Sequence, residues 1–128
     1  GHATEIKNAI MMNHSEAGHF AYIGDSIIGS YVNLGAGVKL ANLQFRTEEE
    51  KTKGFIREIK INVDRETVQT RMEKLGAVIG DFGEIGCNAV TFPGTLLENN
   101  VRIYPNINVQ KGLYKAGTSI HKLKKPDC

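Results

Sequence analysis

From Ile79 to Leu113 the sequence repeats every six residues, and no other feature narrows the possible folds as far. Ile79, Ile85, Thr91, Leu97, Ile103 and Val109 lead successive hexads, and four places after each stand Gly83, Ala89, Thr95, Val101, Ile107 and Leu113. Turn formers lie between them: Gly80-Asp81, Gly86, Pro93-Gly94, Asn99-Asn100 and Pro105-Asn106. A helix repeats about every 3.6 residues and a strand every two, so a sustained period of six fits neither alone. It fits very short strands joined by tight turns, with two side chains per hexad pointing inward. The spacing predicts an all-β chain coiled into a parallel β-helix of hexapeptide repeats.

Composition agrees. A length of 128 residues is one domain's worth. Hydrophobic residues make up 41%, enough for a core, yet there is no Trp and aromatics reach only 7%. A narrow interior filled by small and branched side chains has that composition. The 16 basic and 14 acidic residues leave a net charge of +2, which is no footprint for nucleic acid or an anionic membrane surface. No apolar run approaches the roughly 20 residues that span a bilayer, and no signal peptide opens the chain, so cytoplasm is the expected location. Cys87 in mid-coil and Cys128 at the end make a poor disulfide framework.

The register is clean from Ile28, with Ile28, Leu34 and Leu40 leading hexads and Val32 and Val38 four places on. Before that it slips: Met12 to Ile28 is not a multiple of six, which predicts a tightened coil around His14 and His19. Residues 43–75 interrupt the repeat as an arm that leaves the prism and returns. Within the arm, Arg46 to Gly54 reads as a charged, solvated loop. Ile59, Ile61 and Val63 alternate with Lys60 and Asn62, as in a half-buried strand. Thr70 and Glu73 have capping-box spacing, with Gly76 as the residue after the helix, which predicts one or two helical turns there. Residues 116–120 open a last coil, and residues 121–128 read as a flexible tail.

Four pieces of sequence carry a family likeness: Glu5-Ile-Lys-Asn8, Ser15-Glu-Ala-Gly-His-Phe-Ala-Tyr-Ile-Gly-Asp25, Ile28-Gly-Ser-Tyr-Val-Asn-Leu-Gly-Ala-Gly37, and Ala41-Asn42. Together they resemble the left-handed β-helix acetyltransferase domain of the bifunctional glucosamine-1-phosphate acetyltransferase/N-acetylglucosamine-1-phosphate uridylyltransferase and related sugar-1-phosphate nucleotidylyltransferases. The likeness covers the chain apart from the arm. It implies a left-handed coil, a homotrimer, acetyl-CoA as donor and an amino-sugar 1-phosphate as acceptor. The family's uridylyltransferase half, with its nucleotide loop, has no counterpart in this sequence.

Residue by residue, the resemblance makes His19 the general base that takes a proton from the acceptor's amino group. An ammonium has no lone pair with which to attack a thioester, and imidazole titrates near working pH. By the same likeness Lys7 neutralises the sugar phosphate, while Tyr22, Asn33 and Asn42 contact the sugar or hold the histidine. Gly35, Ala36 and Gly37 match the place where acetyl-CoA runs along the coil, and Cys87 stands where the family has a serine that contacts it. The chain departs from the pattern at Leu43-Gln44-Phe45, where the family has Tyr-Asp-Gly, and at Tyr104-Pro105, where it has small alanines. His2, His14 and His121 read as surface residues. No His, Cys or Asp grouping has metal-ligand spacing. A second function class stays open: a non-catalytic β-helix serving as the oligomerisation or sugar-nucleotide-sensing module of a nucleotidylyltransferase.

Overall fold

The computed structural model describes residues 1–122 and 126–127. Three five-stranded parallel sheets form the faces of a prism, each face taking one strand from each of five coils. The first face holds Glu5–Lys7, Tyr22–Gly24, Lys39–Leu40, Val90–Thr91 and Asn108–Val109. The second runs from Ile10–Met11 through Ile27–Ile28, Ala77–Ile79 and Thr95–Leu97 to Gly112–Tyr114. The third runs from Glu16–Ala17 through Asn33–Leu34, Glu84–Ile85 and Arg102–Ile103 to Ser119–Ile120. The hexapeptide β-helix expected from the sequence is therefore the observed fold.

Strands of two or three residues need a sharp turn at every corner, and the backbone makes it in the left-handed region. Asn88, Asn100 and Asn106 sit there at φ near 60°, and Gly37, Gly94 and Gly117 occupy equivalent corners at positive φ. Hexad leaders point inward and are buried from Ile28 through Ile120. Packing is tight enough that Thr91 buries its hydroxyl with no hydrogen-bond partner.

The irregular coil is resolved by the pairing. Met11, not Met12, is the register mate of Ile28, a step of 17 residues, whereas Val78 pairs with Leu96, a step of 18. The missing residue lies at the corner between the first and second faces, at Asp25-Ser26 and not around His14 and His19 as the sequence predicts. The reason is that Ile23 to Ile28 is the one five-residue step between Met11 and Ile28; Met12 points to solvent. The same shortening recurs in the last coil, where Leu97 pairs with Tyr114. Tyr114 is thus the inward residue there, fully buried, with its hydroxyl donating to the Gln110 carbonyl at 2.9 Å. Leu113 faces outward and stays buried because Asp127 bridges its strand. Asp127 also donates its N–H to the Leu113 carbonyl at 2.8 Å, so this part of the tail is docked rather than frayed. Cys128 lies outside the described residues.

The arm leaves the third coil after Leu40 and re-enters at Ala77. Ser26 secures the return: its buried hydroxyl donates to the Gly24 carbonyl at 2.7 Å and accepts the Ala77 N–H at 3.0 Å. Two readings of the arm are corrected. Residues Glu48–Lys53 are an α-helix, not a loop, and the helical turns expected near Thr70 are absent. Both segments carry Thr-x-x-Glu, so both had the signal. At Thr47 the box closes, with the Thr47 hydroxyl accepting the Glu50 N–H and the Glu50 carboxylate accepting the Thr47 N–H. Gly54 then ends the helix in the left-handed conformation. At Thr70 the hydroxyl instead bonds the Ile59 carbonyl, and Arg71 adopts φ 56°, which no helix tolerates. The expected strand is present: Lys60–Val63 pairs antiparallel with Glu66–Gln69, and Ile59 and Ile61 pack over Gly94.

Candidate functional site

Each functional side chain suggested by the sequence is held at a definite place on the prism. His19 occupies the corner between the third and first faces in the first coil. Its carbonyl accepts the Gly37 N–H at 3.1 Å, the Ala36 carbonyl accepts the Asn88 N–H at 2.9 Å, and the Cys87 carbonyl accepts the Asn106 N–H at 2.9 Å. His19, Ala36 and Cys87 therefore stand one above another along this corner, about 4.8 Å per rung, with Pro105 next in line. His19 and Cys87 are exposed.

The glycines of this corner have a packing role of their own. A Cβ on Gly35 would lie 2.8 Å from the Cys87 nitrogen, and one on Gly37 would meet the Asn88 side chain. Beside them is a cavity of about 300 Å³, lined by Asn33, Gly35, Cys87, Tyr104 and Pro105 among others. Tyr104 forms its wall and packs on His121 with ring centroids 4.0 Å apart.

Across the first face the structure gathers a polar cluster. The Asn42 amide donates to the Tyr22 hydroxyl at 3.1 Å and to the Asp25 carboxylate at 2.7 Å. Lys7 is the register mate of Gly24, and its carbonyl accepts the Asp25 N–H at 2.9 Å. The Lys7 backbone and the Tyr22 and Asn42 side chains thus meet at Gly24-Asp25. Asn33 does not join them: it lies on the third face, in register with Glu16 and Glu84.

Three residues of this neighbourhood had been given no role. Gly24 leaves the space in which the cluster forms, since a Cβ there would come within 2.6 Å of both the Tyr22 hydroxyl and the Asn42 amide. Asp25 anchors Asn42. Lys39 donates to the carbonyls of Phe20 at 2.7 Å and Gly37 at 3.1 Å, with its ammonium 4.2 Å above the Phe20 ring. A fixed cation therefore stands at the same corner as His19. Gly24 and Asp25 were visible as part of the Tyr-x-Gly-Asp signature. Lys39 had no sequence signal, because its role follows from stacking 17 residues above Tyr22.

Of the remaining histidines, His14 stacks on Tyr31 at 4.8 Å, and Tyr31 stacks on Phe82 at 5.2 Å, forming an exposed ladder at the corner between the second and third faces. His2 bridges His19 through the backbone. Among the described residues no group of three or more His, Cys, Asp or Glu could hold a metal, and no helix is long and apolar enough to cross a membrane.

No protein-family model matches the sequence. Among curated proteins, the bifunctional sugar-1-phosphate nucleotidylyltransferase/acetyltransferase of Sulfurisphaera tokodaii is 37% identical over 111 residues, 87% of this chain and 25% of that protein. The bifunctional protein GlmU of Methanococcus vannielii is 35% identical over 90% of this chain and 25% of its own length. A putative uncharacterized acetyltransferase of Escherichia coli, YaiX, is 28% identical over 88% of this chain and 45% of its length. Coil, corner and motif together define a hexapeptide-repeat β-solenoid. More narrowly, the chain is homologous over most of its length to one portion of the bifunctional sugar-1-phosphate nucleotidylyltransferase/acetyltransferases, and it spans about a quarter of the length of the Sulfurisphaera tokodaii and Methanococcus vannielii proteins.

Proposed function

We propose that this chain is an acetyl-CoA-dependent N-acetyltransferase acting on an amino-sugar 1-phosphate, with His19 as general base. One observation carries the reading: the exposed His19 stands where the column of Ala36 and Cys87 meets the face bearing Lys7, Tyr22 and Asn42. In this scheme Lys7 takes the acceptor's phosphate, and Tyr22 and Asn42 orient the sugar. His19 removes a proton from the amino group, whose lone pair attacks the thioester carbonyl. The C–N bond forms, the C–S bond breaks, the departing thiolate takes the proton from the imidazolium, and the second proton left on the new amide nitrogen passes to solvent. Gly35, Ala36, Gly37 and Cys87 line the donor's path, and Asn33, away from the sugar-facing cluster on the third face, lines the same cavity as Gly35 and Cys87. The chain works as a homotrimer, in which a neighbouring copy closes the open side of the corner. The Sulfurisphaera tokodaii relative is named for both a nucleotidylyltransferase and an acetyltransferase and YaiX for an acetyltransferase, which supports this class of chemistry.

The test is direct. Protein given acetyl-CoA and glucosamine 1-phosphate releases free CoA and an acetylated sugar phosphate in equal amounts. CoA release no faster than in acceptor-free controls overturns the reading. A second reading, a non-catalytic module, is favoured by Tyr104, which with Pro105 walls the cavity next to Cys87. On that reading calorimetry gives heat with the sugar phosphate and none with acetyl-CoA.

A further inference from the structure

The arm builds a second cleft that the proposed acyl transfer does not use. Where it departs from the prism, Leu43 and Phe45 lie beside Val90, Phe92 and Pro93 of the fourth coil, lining an apolar groove of about 600 Å³. Phe45 is 96% exposed, which leaves a whole ring uncovered by its own chain. The groove ends at Lys111 and Gln44, and the same two residues line an adjoining polar cavity of about 410 Å³ with Arg57, Glu58 and Lys60. Apolar surface thus passes directly into a cationic end.

The charges at that end are unevenly matched. Glu50 takes one nitrogen of Arg57 at 2.6 Å, and Glu58 is engaged by the Arg71 N–H at 2.8 Å. Neither Lys60 nor Lys111 has a carboxylate within ion-pair distance among the described residues, so both ammoniums are available to an anion. Pockets of this size take small molecules, and clustered Lys and Arg suit phosphate oxygens. Exposed aromatic rings offer a stacking surface to a planar base.

We infer that the cleft between the arm and coils three to five binds a nucleoside diphosphate, its base against Phe45 and Phe92 and its phosphates toward Lys111 and Lys60. The shared chemistry is that of a free nucleotide or a sugar nucleotide. The site does not depend on His19 or Lys7, so it stands or falls separately from the acyltransferase reading.

The test is titration of the full chain with UDP by calorimetry, with uridine and inorganic pyrophosphate as fragments. UDP binds saturably, both fragments bind more weakly, and Phe45→Ala and Lys111→Ala each weaken UDP about tenfold or more, while His19→Ala and Lys7→Ala leave it unchanged. Tighter binding of a UDP-sugar than of UDP assigns the cleft to sugar-linked nucleotides and weaker binding assigns it to free ones; displacement of UDP by coenzyme A returns the cleft to the acyl donor and overturns the inference. Absence of UDP heat at millimolar concentration, or UDP binding indifferent to both Phe45→Ala and Lys111→Ala, overturns the inference. So does a Phe45→Ala protein that changes its oligomeric state with no UDP binding before or after, because a second copy then covers the groove.

Discussion

The coils and the arm are stabilised in different ways. In a coil each inward residue contacts equivalents above and below, so the same instruction is repeated many times and one slip is absorbed. The shortened corners at Asp25-Ser26 and near Tyr114 show this, since the prism closes around them without losing a sheet. The arm has no repetition. Its helix depends on one cap, one glycine and the buried Glu50, and its return depends on Ser26. Redundancy makes the coil robust and readable; single contacts make the arm neither.

Truncation within the coil has the largest effect. Ile85 is buried at the centre of the stack, and Ile85→Ala lowers unfolding free energy by about 2–5 kcal/mol in urea titration. A cost under 1 kcal/mol there contradicts the packed-prism account. Ser26→Ala strands the Ala77 N–H and costs about 1–3 kcal/mol. Protection of Ala77 against hydrogen exchange falls with it; unchanged protection means another group takes the bond.

The arm's helix responds more locally. Thr47→Ala removes the cap at a cost of about 1 kcal/mol, read as faster amide exchange in 48–53 with the coil amides unaffected. Acid has the same effect by another route. The N–H groups of Thr47 and then Arg57 hold the Glu50 carboxyl down from 4.5 to about 2. A carboxylate depressed on folding contributes stability that is fully present above its unfolded value and is lost as pH falls through its folded one. The helix therefore loosens between about pH 4.5 and 2. Exchange rates there that do not vary with pH would remove Glu50 from the account. The smallest change is a gain: Thr91→Val replaces the unpartnered buried hydroxyl by a methyl and raises stability by up to about 1 kcal/mol, where a loss would show a hidden partner.

This contrast also explains what was legible in the sequence. The hexads from Ile28 onward, the position of the arm and the alternation at Ile59 and Ile61 follow from periodicity, which survives without tertiary context. The motif from His19 to Asp25 named Tyr22 and His19, and its Gly-Asp pair was present but without an assigned role. Choosing between the Thr-x-x-Glu boxes at Thr47 and Thr70 required Gly54 on one side and the left-handed Arg71 on the other. The placement of Lys39 over Phe20, the stranding of Asn33 on another face and the cleft at Phe45 depend on which residues stack across coils. No local pattern encodes that.

The central claim is that the corner at His19 performs general-base catalysis, and steady-state kinetics of His19→Ala with acetyl-CoA and glucosamine 1-phosphate tests it most directly. The account predicts a fall in kcat of about 10²–10⁴-fold with the acceptor's KM little changed. Lys7→Ala run alongside mainly raises that KM, because a phosphate contact acts alike in ground and transition states. Turnover by His19→Ala at the unaltered rate would contradict the account.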